Sequence, residues 1–546
     1  MSEDAKNLVL QRFKEAERFQ SPYRNIWRTA YKFFRSFTDK KNYAFLNNVF
    51  VPFSYIIIQS ILARMVTAMF SVSPYVTVHP RIDKEKVIRN AKNMETLIDY
   101  TFYVEKARRK FEEWILDALI YGKGIIKHIW KSKDEMPEFY TVDPYDFYID
   151  PMASSIKEAD YCINRIYRSR EYLIRMGERG IYQNIDKISP MESSFSYTQS
   201  QKEQRLQDIG LGQPIEEFTR NMIELLEYWE DNRVIVLANR NTIVRDEENE
   251  FSFKPFVELD DNIISREFYS IGEIEGQETQ QFTLNELRNQ YLDAVDIIIN
   301  PMYLISRYAS IDTRELVSRP GGWIFTNDVN AVRPLTPNMA VLSVGLQAQE
   351  ILKIDMERRS GVYDVVRGEK GRGAEETATE VLQRGESANL RFRLKLVHLE
   401  DALSELGEQR GEMLRKFISE SKVGMILREG KREFFQISPS DLEGKFLYTV
   451  QARELSEAQK IVLRREFGQL LPMAMQVPFL DQKELVKEFM RLLPIKDIDK
   501  FFIKEPPIPV SPLPAEVPIS PAGEVSPRGV SPLPLEEMLS PREGVV

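Results

Sequence analysis

Cysteine is nearly absent. Cys162 stands alone among 546 residues, which rules out an intrachain disulfide and a multi-cysteine zinc site. Histidine is almost as scarce: His79, His128 and His398 lie far apart in the chain. A basic excess is also lacking, since 74 Lys and Arg against 83 Asp and Glu leave a net charge of −9. That balance argues against a surface coated in nucleic-acid-binding patches, yet it permits a local contact or an acidic-walled channel. Long apolar runs are missing. The most apolar stretch, 55–70, is interrupted by Gln59, Ser60 and Arg64. It is too short to span a bilayer, so we expect a buried helix and no membrane partner. The polar opening Met-Ser-Glu-Asp-Ala-Lys predicts no secretory leader.

With 43% hydrophobic and 29% charged residues, most of the chain should be globular, in two to four domains. Residues 1–135 read mainly as helices, with Phe13, Phe19, Trp27, Tyr31 and Phe34 at near-helical spacing. A helix over 110–121 should stop at Gly122, before a strand over 125–130. Residues 136–260 read as α+β: a strand at 138–142, a helix at 169–178, a polar loop at 190–215, and strands at 222–229 and 233–239. Thr283 and Glu286 form a capping-box pattern, followed by an apolar face of Leu284, Leu287, Tyr291, Val295 and Ile298 that ends at Asn300-Pro301. Short strands and turns fill 302–335. Thr336-Pro337 should open a helix that closes at Gly361. Strands recur at 424–427, 433–436 and 446–450, and helix returns at 456–502. Residues 503–546 hold 11 of the 29 prolines; without periodicity they cannot form a core, and read as a passive tail or a partner-binding segment.

The most informative stretch is 336–417. A loop reading Val-Tyr-Asp-Val-Val-Arg-Gly-Glu-Lys-Gly-Arg-Gly at 362–373 separates two helices, the second of roughly 45 residues and about 65 Å. Arg367, Lys370 and Arg372 suit sequence-independent contact with phosphates, and Gly368, Gly371 and Gly373 allow the loop to shift. The loop lacks the Gly-Lys-Ser/Thr ending of a phosphate loop, and 210–215 lacks the third glycine of a dinucleotide fingerprint. Asp143, Asp146 and Asp150 can be read as turn initiators, two of them before proline, or as a metal cluster for phosphodiester chemistry. From the residues alone a metal-dependent nuclease or hydrolase, or a helical scaffold protein, stays open beside a DNA-handling conduit.

Four passages, in order, resemble the portal proteins of tailed double-stranded DNA bacteriophages. They are Trp-Ile-Leu-Asp-Ala-Leu-Ile-Tyr-Gly-Lys-Gly at 114–124 and Val-Asp-Pro-Tyr-Asp-Phe-Tyr-Ile-Asp-Pro at 142–151. The third runs from Asn300-Pro301 through Arg-Pro-Gly-Gly at 319–322 to Val-Arg-Pro-Leu-Thr-Pro at 332–337. The fourth runs from Arg-Arg-Ser-Gly at 358–361 to Glu-Thr-Ala-Thr-Glu at 376–380.

The resemblance implies an α+β, mainly helical portal fold. Its parts would be a wing (1–276, with 422–454 returning to it), stem helices (277–299 and 336–361) and a clip (300–335). A tunnel loop (362–374), a spine helix (375–421), a crown (455–502) and the Pro-rich tail (503–546) would follow. It implies a usually dodecameric homo-oligomeric ring at one capsid vertex, through which DNA is packaged and ejected, with no enzymatic activity, cofactor or metal of its own. Implied DNA-contacting residues are Val366, Arg367, Gly368, Glu369, Lys370, Gly371, Arg372 and Gly373. Implied clip docking residues are Arg314, Arg319, Trp323, Phe325 and Arg333. Implied partners are the terminase large subunit, the head-tail adaptor, and the major capsid and scaffolding proteins. The protein would reside in the virion, and in the host cytoplasm during assembly.

Overall fold

The computed structural model describes residues 2–38, 47–70, 74–188, 201–211, 222–300 except 252, 302–308, 330, 332–335, 339–362, 378–428, 431–450, 467–468 and 486. The chain divides into two compact units, 1–460 and 461–546; the architecture below is that of the first.

Four helices lead: α1 (Ser2–Phe34), α2 (Phe53–Phe70), α3 (Glu85–Glu105, after a short strand β1, Thr77–Pro80) and α4 (Arg108–Tyr121). As expected, α4 stops at Gly122, whose φ of +86° disfavours any side chain. A Cβ there would also lie 1.8 Å from the Ser270 carbonyl oxygen. Helix α2 is long and apolar enough to cross a membrane by those criteria alone, and half of it is buried in the protein. Its inner face carries Ile57, Ile58, Ile61 and Met65, while Tyr55 and Ile56 are exposed.

Mixed helix and strand follow, as the α+β reading requires. Strands β2 (Lys123–Lys131), β3 (Met136–Val142), β4 (Phe147–Ile149) and β5 (Cys162–Ser169) precede α5 (Arg170–Glu178), capped by Ser169. Helix α6 (Gln201–Asp208) corrects the expectation of a loop across 190–215. Its composition is polar, but Arg205 pairs with Asp143, and Asp208 with Arg28, which docks it by charge rather than apolar burial. Then come β6 (Met222–Trp229), β7 (Arg233–Ala238), β8 (Thr242–Glu248) and β9 (Phe256–Asp260). All pairings are antiparallel: β3-β2-β9 form one sheet and β4-β5-β6-β7-β8 another.

Alternation along the strands sorts side chains into two cores. On one face of the five-stranded sheet, Ile163, Leu226, Tyr228, Ile235 and Leu237 pack under Ala5, Val9, Phe13 and Ala16 of α1. On its other face, Cys162, Leu225, Trp229, Val234 and Val236 join the main core. There the buried Lys127 of β2 meets Glu227, and Phe256 of β9 meets Trp229 at 6.2 Å between rings. The two sheets therefore stack, with α1 outermost on one side.

The last elements are α7 (Glu278–Ile299), β10 (Met302–Ile305), β11 (Val332–Leu335), α8 (Met339–Ser360), α9 (Ala378–Phe417), β12 (Lys422–Arg428), β13 (Lys431–Ile437) and β14 (Phe446–Thr449). Helix α7 starts at Glu278, ahead of the expected capping box at Thr283. A 3-10 turn at Glu275–Gln277 leads into it, and Thr283 Oγ1 donates instead to the Thr279 carbonyl one turn back, at 2.9 Å. Of its expected apolar face, Leu284 is fully buried, while Leu287, Tyr291, Val295 and Ile298 are half-buried. Helix α9 spans 40 residues, about 60 Å, slightly less than expected. The expected helix at 456–502 and the tail fall almost wholly outside the described residues, as does Thr336-Pro337.

Candidate assembly and DNA-conduit surfaces

Helix α9 organises the candidate site, and its two faces differ in chemistry. The inner face carries Leu396, Leu399, Leu403, Leu406 and Leu414, all buried. Three buried polar side chains pin the same face. Lys395 pairs with Asp261 and, at 2.8 Å, with Glu273. Burial raises the Asp261 carboxyl and Lys395 pulls it back down. Gln409 Nε2 donates to the Phe256 carbonyl at 3.0 Å, and His128 Nδ1 donates to Gln409 Oε1 at 3.0 Å. Arg410, fully buried, donates to Glu105 at 2.7 Å and to Thr101 at 3.0 Å, with its guanidinium 4.0 Å from the Phe102 ring centroid. Breaking one such buried pair typically costs about 3–5 kcal/mol, so the helix is held at a set rotation. Because His128 and Phe139 face α9, the helix lies on the side of the β3-β2-β9 sheet away from the five-stranded sheet.

The outer face is apolar in its first part: Leu390, Leu394 and Val397 are 69%, 59% and 40% exposed. Along the same line it turns acidic, with Asp401, Glu405, Glu408 and Glu412. These residues edge two adjoining clefts of about 410 and 290 Å³, which Glu258, Asp260 and Asp231 also line, with Arg81, Lys157 and Lys254 as the cations among them. Burial raises the Glu405 carboxyl; Lys157, 3.3 Å away, opposes this, and Glu258 and Glu408 add to it.

Helices α7 and α8 pack along each other. Beyond them β10 and β11 pair antiparallel, with Met302 opposite Leu335 and Ile305 opposite Val332. Among the described residues this two-stranded element shows no core of its own: Met302, Leu304 and Ile305 are exposed. Residues 47–54 lie along α7, bonded by a ladder that no periodicity of apolar residues announces. The backbone N–H groups of Asn47, Val49, Val51 and Ser54 donate to the side chains of Asp293, Asn289, Asn285 and Gln281, at 2.9, 2.7, 2.9 and 3.0 Å. Two residues of extended chain rise about 6.6 Å and four of helix about 6 Å, so the rungs stay in step. The only signal in the sequence is an acidic or amide side chain at every fourth position of α7.

Of the expected site residues, Arg333 is exposed on β11, opposite Leu304. Arg314, Arg319, Trp323 and Phe325 lie outside the described residues, as does the loop from Val366 through Arg367, Gly368, Glu369, Lys370, Gly371 and Arg372 to Gly373. What brackets that loop is described. Gly361, at φ +72°, donates to the Glu357 carbonyl at 2.8 Å and closes α8 as expected, and Val362 is buried. The three aspartates do not converge. Asp143 holds Arg205 and caps Tyr145 N at 3.1 Å, Asp146 holds Arg165 at 2.7 Å, and Asp150 accepts from Met152 N at 3.0 Å. Turn initiation and ion pairing account for each, and no cluster of three or more metal-ligating side chains occurs among the described residues. His79 bonds Thr449 at 2.9 Å across the β1–β14 pair, a structural role. His398 borders the larger acidic cleft.

A model of the phage SU10 portal protein family matches residues 131–521. The chain belongs to that family. The match takes in the five-stranded sheet, the α7–α8 pair, the long helix α9 and the strands after it. The portal chain is thus a phage structural component, and nothing favours the nuclease reading. No curated protein matches it.

Proposed function

We propose that this portal protein forms a closed, non-enzymatic ring, dodecameric as the resemblance implies, at one vertex of the capsid. Double-stranded DNA is packaged and ejected through its lumen, with the ATPase supplied by terminase. Residues 1–276 and 422–454 make the wing, α7 and α8 the stem, and 300–335 the clip. The spine helix carries the loop 362–374, whose Arg367, Lys370 and Arg372 face DNA and whose glycines let it shift. The clip, with Arg314, Arg319, Trp323, Phe325 and Arg333, docks the terminase large subunit and then the head-tail adaptor. The major capsid and scaffolding proteins contact the wing and crown.

The observation that carries this reading is the spine helix: a long helix pinned on one face and exposing Leu390, Leu394 and Val397 on the other. Apolar surface of that kind on a rigid helix is covered in an assembly. Different surfaces must meet head to tail, and such contacts close into a ring only at the right rotation. Native mass spectrometry of the full chain should show one ring species of roughly a dozen subunits. A monodisperse monomer or two-fold dimer across several salt conditions would overturn the ring.

A further inference from the structure

The ring contact just proposed needs two complementary surfaces on opposite sides of the subunit, and the distribution of unpaired charge supplies a candidate pair. From Asn7 onward the solvent stripe of α1 runs Asn7, Gln11, Lys14, Arg18, Ser21 and Asn25 without a carboxylate, the exposed Glu3 lying one turn before it. Lys14 and Arg18 are exposed, and neither has an ion-pair partner among the described residues. The nearby carboxylates are already engaged: Glu15 with Arg12 at 3.7 Å and Glu17 with Arg24 at 3.7 Å. One turn pitch apart, two free cations offer a narrow positive strip about 6 Å long at the Cα level.

The acidic part of α9 is the opposite case. Asp401 and Glu408 are exposed and unpaired among the described residues, and Glu405 and Glu412 sit between and beside them on the same face. Lys157 meets Glu405, and Arg415 approaches Glu412 at 3.9 Å, so two of the four charges are offset and two are not. The whole acidic run covers about 16 Å of helix. The first half of α1 covers the outer face of the five-stranded sheet, and α9 covers the far face of the three-stranded one. Both sheets stand between the two strips, so they cannot pair within one chain. A head-to-tail neighbour presents one to the other.

We infer that the Lys14–Arg18 strip of α1 docks on the Asp401–Glu408 face of α9 in the next copy of the chain, as an electrostatic part of the subunit interface. This rests on the ring reading above. The contact fixes which neighbour is met and in which orientation, the role complementary charge serves best at an interface. Because both strips are solvent-exposed in the single subunit, salt screens their approach, with a Debye length of about 8 Å at physiological ionic strength.

The test uses charge-reversed full-length chains: Lys14→Glu with Arg18→Glu, and Asp401→Lys with Glu408→Lys. Mass photometry reads ring formation at low and high salt, and circular dichroism confirms that each subunit folds. Each reversed chain alone should lose the ring species at low salt. Both reversals in one chain should restore it. Mixing the two reversed chains should also restore it, as alternating rings with an even number of subunits. Rings from either reversed chain alone, as abundant as the parent's, would overturn the contact while leaving the ring reading intact. Loss without rescue by combination or mixing would overturn the pairing of these two strips. A parent chain that forms no ring would overturn the ring reading and this contact with it.

Discussion

The backbone N–H of Val49 donates to Asn289 Oδ1 at 2.7 Å, and Asn289 Nδ2 returns a bond to the Val49 carbonyl at 3.3 Å. One side-chain amide thus serves both groups of a residue 240 positions away, as a neighbouring strand would. Asn289 is buried, so removing its amide leaves Val49 without a partner or exposes it to water. An orphaned backbone group costs roughly 1–3 kcal/mol. We expect Asn285→Ala and Asn289→Ala each to destabilise the fold by an amount in that range. Hydrogen exchange at Val49 and Val51 should accelerate while the sheets stay protected. Unchanged exchange at both amides would show that the ladder does not hold this segment.

His128 makes acid resistance measurable. Burial, reinforced by the Arg410 charge, lowers its pKa from 6.5 to about 3. In the unfolded chain the imidazole takes up a proton as pH falls through about 6.5, while the folded chain refuses it until near 3. Above that window the residue adds no pH dependence. Within it the unfolded state binds more protons, so stability falls with falling pH, by at most about 1.4 kcal/mol per pH unit. His128→Gln should flatten the slope of stability between pH 6.5 and 5. Parallel profiles for the two proteins would show that this residue is not the source.

Leu390 and Leu394 are both exposed on the spine helix and lie one turn apart. Replacing both with lysine removes little intrachain packing, so thermal unfolding of the isolated subunit should shift little. Ring formation should fall sharply, because burying two charges in an apolar contact is costly without partners. Normal assembly of the Leu390→Lys, Leu394→Lys chain would place the subunit contact elsewhere.

Deleting 366–372 should leave rings intact and reduce packaged or retained DNA per particle. Neutralising Arg367, Lys370 and Arg372 should do less, since the glycines and the bulk of the segment would remain. Glu369 dilutes the positive charge, so strong binding to free DNA is not expected. Parental DNA content in the deleted particle would mean that the loop does not handle DNA.

By sequence, residues 300–335 are short and rich in turn-forming residues, and β10 exposes Met302 and Leu304. Replacing 310–330 with a Gly/Ser linker should spare the subunit fold and abolish DNA packaging, scored as filled particles. Persisting packaging would refute the docking role of the clip.

Much of the subunit could be read from local pattern. The stop of α4 at Gly122 and the strands flanking residues 230–232 follow from spacing and turn chemistry within a dozen residues. Leu390, Leu394, Val397, Leu403 and Leu406 are all apolar positions on the spine helix. Which of them face inward was decided by the tertiary structure, because Lys395, Gln409 and Arg410 find partners at Asp261, Phe256 and Glu105 that set the helix rotation. Periodicity reports whether a side chain is apolar or polar. It cannot report which distant donor or acceptor will satisfy a buried polar one. For that reason periodicity gives no sign that Gln281, Asn285, Asn289 and Asp293 are the rungs that hold 47–54. Asp143, Asp146 and Asp150 sit together in sequence and turn to separate partners for the same reason: a carboxylate's role is set by the cation or N–H that the fold brings to it.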